Sequence, residues 1–224
     1  MSEVLPPRRR RLAPLVIVTG VAATLLLAFA TTGALAGFTA SINNSANTAA
    51  SGTLLMTETQ GGTTCLSSAA GTVTTTNAGT CATINKFGGS TTMVPGTPVT
   101  SSITITNNGT VPANTFTLTP GGCTQSNNGT VNGTDAAFCG KVDLTIADTT
   151  SSKCVFPAST SACVAPTSAN TLTTLGTTAI SLATPLAPGA SRSYTFTVQL
   201  DGTNATNADQ GLQANETLLW SFAS

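Results

Sequence analysis

Histidine is absent from all 224 residues, and charge is scarce, with Asp, Glu, Lys and Arg together making up 7% of the chain. Aromatic side chains make up 4%, with one Trp and one Tyr. Without histidine the usual general base, most nucleophilic triads and the HExxH zinc site are missing. The acidic residues are scattered, and no pair of them sits in the apolar setting of a glycosidase dyad. No glycine-rich phosphate loop follows a strand pattern. No CxxC pair occurs, so a zinc site is not expected either. The sequence thus predicts no catalytic residue, no cofactor and no metal ligand set, and it reads as a non-enzyme. Beyond residue 36 there are four basic residues (Lys86, Lys141, Lys153, Arg192) and seven acidic ones (Glu58, Asp135, Asp143, Asp148, Asp201, Asp209, Glu216), a net charge of −3. Four scattered cations form no basic stripe, which argues against nucleic acid as a partner.

What the chain has in abundance lies first at its beginning. Arg8-Arg9-Arg10-Arg11 is a basic run, and Leu12 to Leu35 follows without a single charge. Ala34-Leu35-Ala36 places small residues where a signal peptidase needs them, so cleavage is expected between Ala36 and Gly37. The apolar run is also long enough to span a bilayer, and an uncleaved N-terminal anchor with the arginines inside is the alternative. Both versions export residues 37–224, as a secreted or surface protein or as a single-pass membrane protein with its C-terminal domain outside. The expected organisation is therefore 1–36 signal peptide or anchor helix, 37–51 an N-terminal lead, and 52–224 a folded domain.

Six cysteines follow the export signal: Cys65, Cys81, Cys123, Cys139, Cys154 and Cys163. An even number in an oxidising compartment predicts three disulfides. Fifteen pairings are possible. Sequential pairing is preferred, because each consecutive pair brackets a polar segment rich in Gly, Ser, Thr and Asn. Closing a loop of about 15 residues contributes on the order of 3 kcal/mol through the unfolded state.

The domain itself reads as β throughout. No segment after residue 40 has an apolar period of 3.6 residues, while Thr, Val and Ile alternate with polar residues and Asn-Gly and Pro-Gly punctuate them. Strands are expected over 52–58, 97–106, 111–119, 141–147, 171–182, 192–200 and 216–223. In the clearest, Tyr194, Phe196, Val198 and Leu200 face the core. Asn107-Asn108-Gly109-Thr110 reads as a hairpin turn joining 97–106 to 111–119. Residues 60–81, 121–139 and 148–170 are expected to be cysteine-bounded loops. Seven or more short strands predict a β-sandwich or a barrel. Pro95-Gly96 and Pro188-Gly189 precede two strands at the same spacing, a weak internal echo. Residues 201–209 carry oxygens of the kind that hold calcium, but read first as a polar loop. Six Asn-x-Ser/Thr sequons (Asn43, Asn108, Asn128, Asn132, Asn204, Asn215) permit glycosylation.

Three stretches together resemble the TasA/camelysin group of secreted bacterial surface proteins. They are Ala34-Leu35-Ala36-Gly37-Phe38 followed by Ala50-Ser51-Gly52-Thr53-Leu54; Val94-Pro95-Gly96 leading into Ile103-Thr104-Ile105-Thr106-Asn107-Asn108-Gly109; and Asn207-Ala208-Asp209-Gln210-Gly211 before the last strand. The resemblance implies a jelly-roll-like antiparallel β-sandwich and a role as a cell-surface or biofilm-matrix fibre subunit. It also implies self-association in which the segment after the cleavage point, Gly37 to about Ala50, completes the sheet of the next subunit. The group's described metallopeptidase activity does not carry over to a chain without histidine. A monomeric adhesion or binding module that recognises surface or matrix components through its cysteine-closed loops is the competing expectation.

Overall fold

The structure is a computed structural model that describes residues 41–44, 46–68 and 72–224. The expected signal peptide or anchor, its cleavage residues Ala34, Ala36 and Gly37, and the first residues of the lead lie outside the described residues. The chain divides into two units, residues 1–49 and 50–224. In the first, the described residues from Ser41 to Ala49 are exposed and include neither helix nor strand.

The second unit is all-β. Its strands are β1 (Met56–Gln60), β2 (Thr63–Leu66), β3 (Pro98–Asn107), β4 (Thr115–Pro120), β5 (Thr124–Asn127), β6 (Val142–Asp148), β7 (Lys153–Phe156), β8 (Ile180–Ser181), β9 (Ser191–Leu200), β10 (Leu212–Asn215) and β11 (Leu218–Ala223). Among the described residues one helical turn, α1 (Leu172–Leu175), and two 3₁₀ turns, Phe138–Lys141 and Asn207–Asp209, interrupt them. A six-stranded sheet runs β2-β1-β3-β9-β6-β7, a three-stranded sheet runs β11-β4-β8, and β10 pairs with β5. Every pairing is antiparallel.

Alternation builds the core. Ile103 and Ile105 of β3, Leu144 and Ile146 of β6, and Tyr194, Phe196 and Val198 of β9 are all buried on the inner face of the large sheet. Phe116 and Leu118 of β4 and Trp220 of β11 answer them from the small sheet. The chain's single Tyr and single Trp meet there, with ring centroids 5.2 Å apart, and Phe116 lies 6.0 Å from Tyr194 and 5.8 Å from Trp220. Aromatic pairs at such separations add to the stabilisation that burial alone provides. On the opposite face of the large sheet, hydroxyls pair across β3 and β9: Ser102 with Thr195, Thr104 with Ser193 and Thr106 with Ser191, at 2.8–2.9 Å. Threonine thus supplies both the β-branched backbone preference and a polar ladder between neighbouring strands.

The echo between Pro95-Gly96 and Pro188-Gly189 has a geometric meaning. β3 and β9 are antiparallel neighbours, with Pro98 opposite Gln199. The Gly96 N–H donates to the Leu200 carbonyl at 2.9 Å, and the Gly189 N–H donates to the Asn107 carbonyl at 2.7 Å. Each turn closes the far end of the other strand. Both glycines have positive φ, +77° and +75°, which the turn requires and a side chain would resist.

Four expectations are corrected. The Asn107–Thr110 segment is not a hairpin turn, because β3 and β4 belong to different sheets. Asn107 is fully buried and holds a corner. Its Nδ2 donates to the Val111 and Leu186 carbonyls, both at 2.9 Å, and its Oδ1 accepts from the Gly109 N–H at 2.9 Å. Gly109 is needed for close approach, since a Cβ there would collide with the Thr53 carbonyl. Second, the cysteine-bounded segments are not wholly loop: β2, β5 and β7 lie within 60–81, 121–139 and 148–170. The β1–β2 turn at Gly61-Gly62 is a two-residue glycine connection of the kind hairpins use. Third, 171–182 is mostly not strand. Thr171 and Thr174 form a reciprocal cap that starts α1, whose Leu172 and Leu175 are buried, and only Ile180–Ser181 pairs as strand. Fourth, the expected strand 216–223 begins late: Glu216 and Thr217 form a break between β10 and β11.

Candidate functional site

Three disulfides tie the domain: Cys65–Cys81, Cys123–Cys139 and Cys154–Cys163, which is pairing in sequence order. No cysteine is left free. Three intramolecular disulfides place the folded domain in an oxidising, extracellular environment.

Two of these bonds sit at the edges of the large sheet. β2 carries Cys65, and Gly79, inside the segment that the disulfide closes, packs directly on the Leu66 carbonyl. β7 carries Cys154, whose N–H donates to the Ser161 carbonyl (2.8 Å) while its carbonyl accepts from the Ser159 N–H (3.0 Å). Both edges are four residues long and are covered by disulfide-closed turns, which blunts strand-to-strand pairing with another molecule.

The small sheet is different. β11 reads Leu-Leu-Trp-Ser-Phe-Ala, with no charge, proline or cysteine. The Gly121 N–H donates to the Thr217 carbonyl and the Leu182 N–H donates to the Phe116 carbonyl, both at 2.8 Å. Together these fix the phase of the ladder: odd residues of β11 exchange bonds with β4, and the main-chain groups of Leu218, Trp220 and Phe222 point to the other side. Among the described residues no backbone group bonds to that side. Leu219 is 60% exposed beside it.

Behind this edge lies a polar anchor that the sequence concealed. Glu58 of β1 faces inward opposite Ile105, and its Oε1 accepts from the Trp220 indole N–H at 3.2 Å and from Lys86 Nζ at 2.8 Å. Both charged side chains are nearly enclosed, 7% and 10% exposed. The anchor connects the large sheet to β11. The available signal was the even-numbered register of 54–58, which sets Glu58 on the same face as Leu54 and Met56. A second ion pair, Arg192 with Asp148 at 3.2 Å, lies at the start of β9, in the same cross-strand row as Glu58 and Ile105.

A cleft of about 730 Å³ opens between the 85–95 segment, the β5–β10 pair and the ends of β6 and β9. Phe87, Met93, Phe138 and Leu212 supply its apolar lining, and Asn and Gln amides supply much of the rest. Its size is in the range of small-molecule sites. Asp201, the first residue of the oxygen-rich stretch 201–209, does not line the cleft and is already satisfied: Oδ1 accepts from the Thr203 and Asn204 N–H groups, and Oδ2 from Asn204 Nδ2. The Asn204 side chain, followed by these backbone bonds, holds that carboxyl below its ordinary range.

Two carboxyls are held high. Burial, with the Asp201 charge second, pushes Asp143 up to about 6. Glu216 sits in the break between β10 and β11, where burial pushes it up to about 7 against the weaker pull of the Gly122 N–H. Neither Glu216 oxygen completes a hydrogen bond. Its proton is retained in the folded state to about pH 7 but lost near 4.5 in the unfolded chain. The fold therefore binds the extra proton between these values, and stability falls as pH rises through that window. Glu216→Gln removes the fall. Allowing for solvent screening of this half-buried group, the variant should exceed the wild type at pH 8 by about 1 kcal/mol, or roughly 2–4 °C in melting temperature, with no gain at pH 4. Calorimetry across pH checks it.

Among the described residues no three His, Cys, Asp or Glu side chains come together, and no helix is long and apolar enough to cross a membrane. No family model matches the chain, and no curated protein matches it.

Proposed function

We infer that this chain is an exported structural protein, a cell-surface or matrix fibre subunit, built as a jelly-roll-like sandwich and assembled by β-strand donation. The observation that carries the reading is the contrast among edges. Two are short and covered by disulfide-closed turns, while β11 offers six uncharged residues whose outward N–H and C=O groups suit an added strand. The donor is the lead, residues 37–51. It has no charge and no proline, and Phe38, Ala40 and Ile42 fall on one side of an extended chain. Ile42 is 99% exposed, an apolar side chain without a core of its own. In this reading the lead of one subunit lies along β11 of the next, and repetition of that contact makes a fibre. Protein beginning at Gly37 should form filaments visible by electron microscopy, and protein beginning at Ser51 should remain monomeric. Filaments from both would end the assignment of the donor.

The cleft favours a second reading, a monomeric surface module that binds a small ligand between its loops. A stable monomer at high concentration in size-exclusion chromatography, with the lead intact, would select it over the fibre.

A further inference from the structure

The cleft is walled by amides whose bonding is half complete. The Asn85 Oδ1 accepts from the Phe87 N–H at 3.0 Å. The Asn128 Nδ2 donates to the Thr91 carbonyl at 2.8 Å, and so ties the loop after β5 to the 85–95 segment. The Asn207 Oδ1 accepts from Gln210 Nε2 at 3.0 Å, and Gln213 Nε2 donates to Asn215 Oδ1 at 2.6 Å. All of these residues line the cleft. Each amide is thus fixed at one end by the fold. Among the described residues the other ends of Asn85, Asn128, Asn207, Gln210 and Gln213 make no bond to the protein. The Asn85 and Asn207 Nδ2 groups are free donors, and the other three free ends are acceptors. The same cleft has an apolar side, to which Phe87, Met93 and Leu212 contribute, each half-buried against the core.

These features select a chemistry. Among the described residues no Lys or Arg lines the cleft. The one acid that does, Asp209, is 4% exposed, and its Oδ2 is held by the Thr206 N–H and hydroxyl at 2.6 and 3.2 Å. An anionic ligand would find no opposite charge there, and burying it unpaired is costly. A wholly apolar ligand would strand the free amide ends. A pyranose meets both demands, because each hydroxyl donates and accepts while the C–H faces of the ring are apolar. Amides fixed in advance lose little freedom on binding, and about 730 Å³ holds more than one linked ring. We propose that the cleft binds a neutral oligosaccharide, with Phe87 against a ring face and Asn85, Asn128 and Asn207 on its hydroxyls. This site rests on the reading of the cleft as a ligand pocket and is independent of strand donation.

The test is saturation-transfer NMR on the oxidised protein beginning at Gly37, which reads the ligand and so serves monomers and fibres alike. The probes are cellotetraose, maltotetraose, laminaritetraose and chitotetraose, with anionic tetragalacturonate and decanoate for comparison. The expected result is binding of at least one neutral tetrasaccharide, with a dissociation constant on the order of 10⁻³ M or tighter, and none of tetragalacturonate. Asn207→Asp keeps the oxygen that accepts from Gln210 and exchanges the free donor for an acceptor. Phe87→Leu keeps an apolar side chain and removes the ring. Each should weaken the bound saccharide by about fivefold or more, with the fold verified by circular dichroism. Failure of all four saccharides at about 10 mM would overturn the proposal. So would equal binding of tetragalacturonate, or a saccharide affinity unchanged in both variants. Decanoate binding where every saccharide fails would overturn the sugar assignment alone. Failure of every probe would end the reading of the cleft as a ligand pocket as well.

Discussion

Lys86→Met is expected to cost about 3–5 kcal/mol of stability, measured by urea denaturation under oxidising conditions. The reason is the enclosure of its partner. Glu58 lies on the core side of β1 with its carboxylate against the Trp220 indole, and Lys86 at 2.8 Å is the cation that offsets the charge. Removing the ammonium leaves a buried carboxylate whose remaining donor is one indole N–H. The fold must then tolerate the charge, take up a proton, or open a path for water. Replacing Glu58 by Gln in the same background should recover more than half of the loss, since the amide still accepts from Trp220 and carries no charge. A single-variant cost under about 1 kcal/mol would mean that the pair is solvated, as exposed ion pairs are, and holds nothing together.

Asn107→Ala is the second large effect, again about 3–5 kcal/mol. Asn107 is fully buried and makes three hydrogen bonds inside the fold. Alanine would leave the Val111 carbonyl and the Gly109 N–H unpaired, at about 1–3 kcal/mol for each, while the Leu186 carbonyl keeps the Ala113 N–H at 2.9 Å. Asn108→Ala, one residue on and exposed, should cost about 1 kcal/mol or less. The comparison separates a buried corner from a surface turn. In a hairpin both asparagines would sit at a solvent-exposed tip and the two costs would be alike. Against a typical total stability of about 5–15 kcal/mol, either large loss is a substantial share of what holds the fold together.

The long alternating segments were legible because burial on one face demands a period of two. Tyr194, Phe196 and Val198 are all within 1% of full burial, and Val142, Leu144 and Ile146 are buried as their spacing requires. The short strands were not legible. β5 is exposed at all four positions, so no alternation marks it. β2 and β7 owe their place to pairing with a neighbour and to the adjacent disulfides, not to their own composition. Leu172 and Leu175 are spaced for a helix, but a single turn is too short to show a period, and the surrounding threonines favour strand. Asn-Gly signalled a turn correctly in kind and wrongly in kind of partner: what decides between hairpin and corner is whether the asparagine side chain is buried, and that depends on Leu186, far along the chain. The same holds for the candidate sites. Glu58, Lys86 and Trp220 come from distant segments, and only the folded domain brings them together.

The most direct test of strand donation is a zero-distance map of the contact. Benzoylphenylalanine placed at position 42 of the assembled protein, activated by light and followed by mass spectrometry, reports which residues the lead touches. Crosslinks between subunits, from position 42 to residues 218–223, are the expected result. Crosslinks confined to the lead's own subunit, or joining subunits through the disulfide-covered edges β2 and β7, would contradict the assignment of β11 as the acceptor.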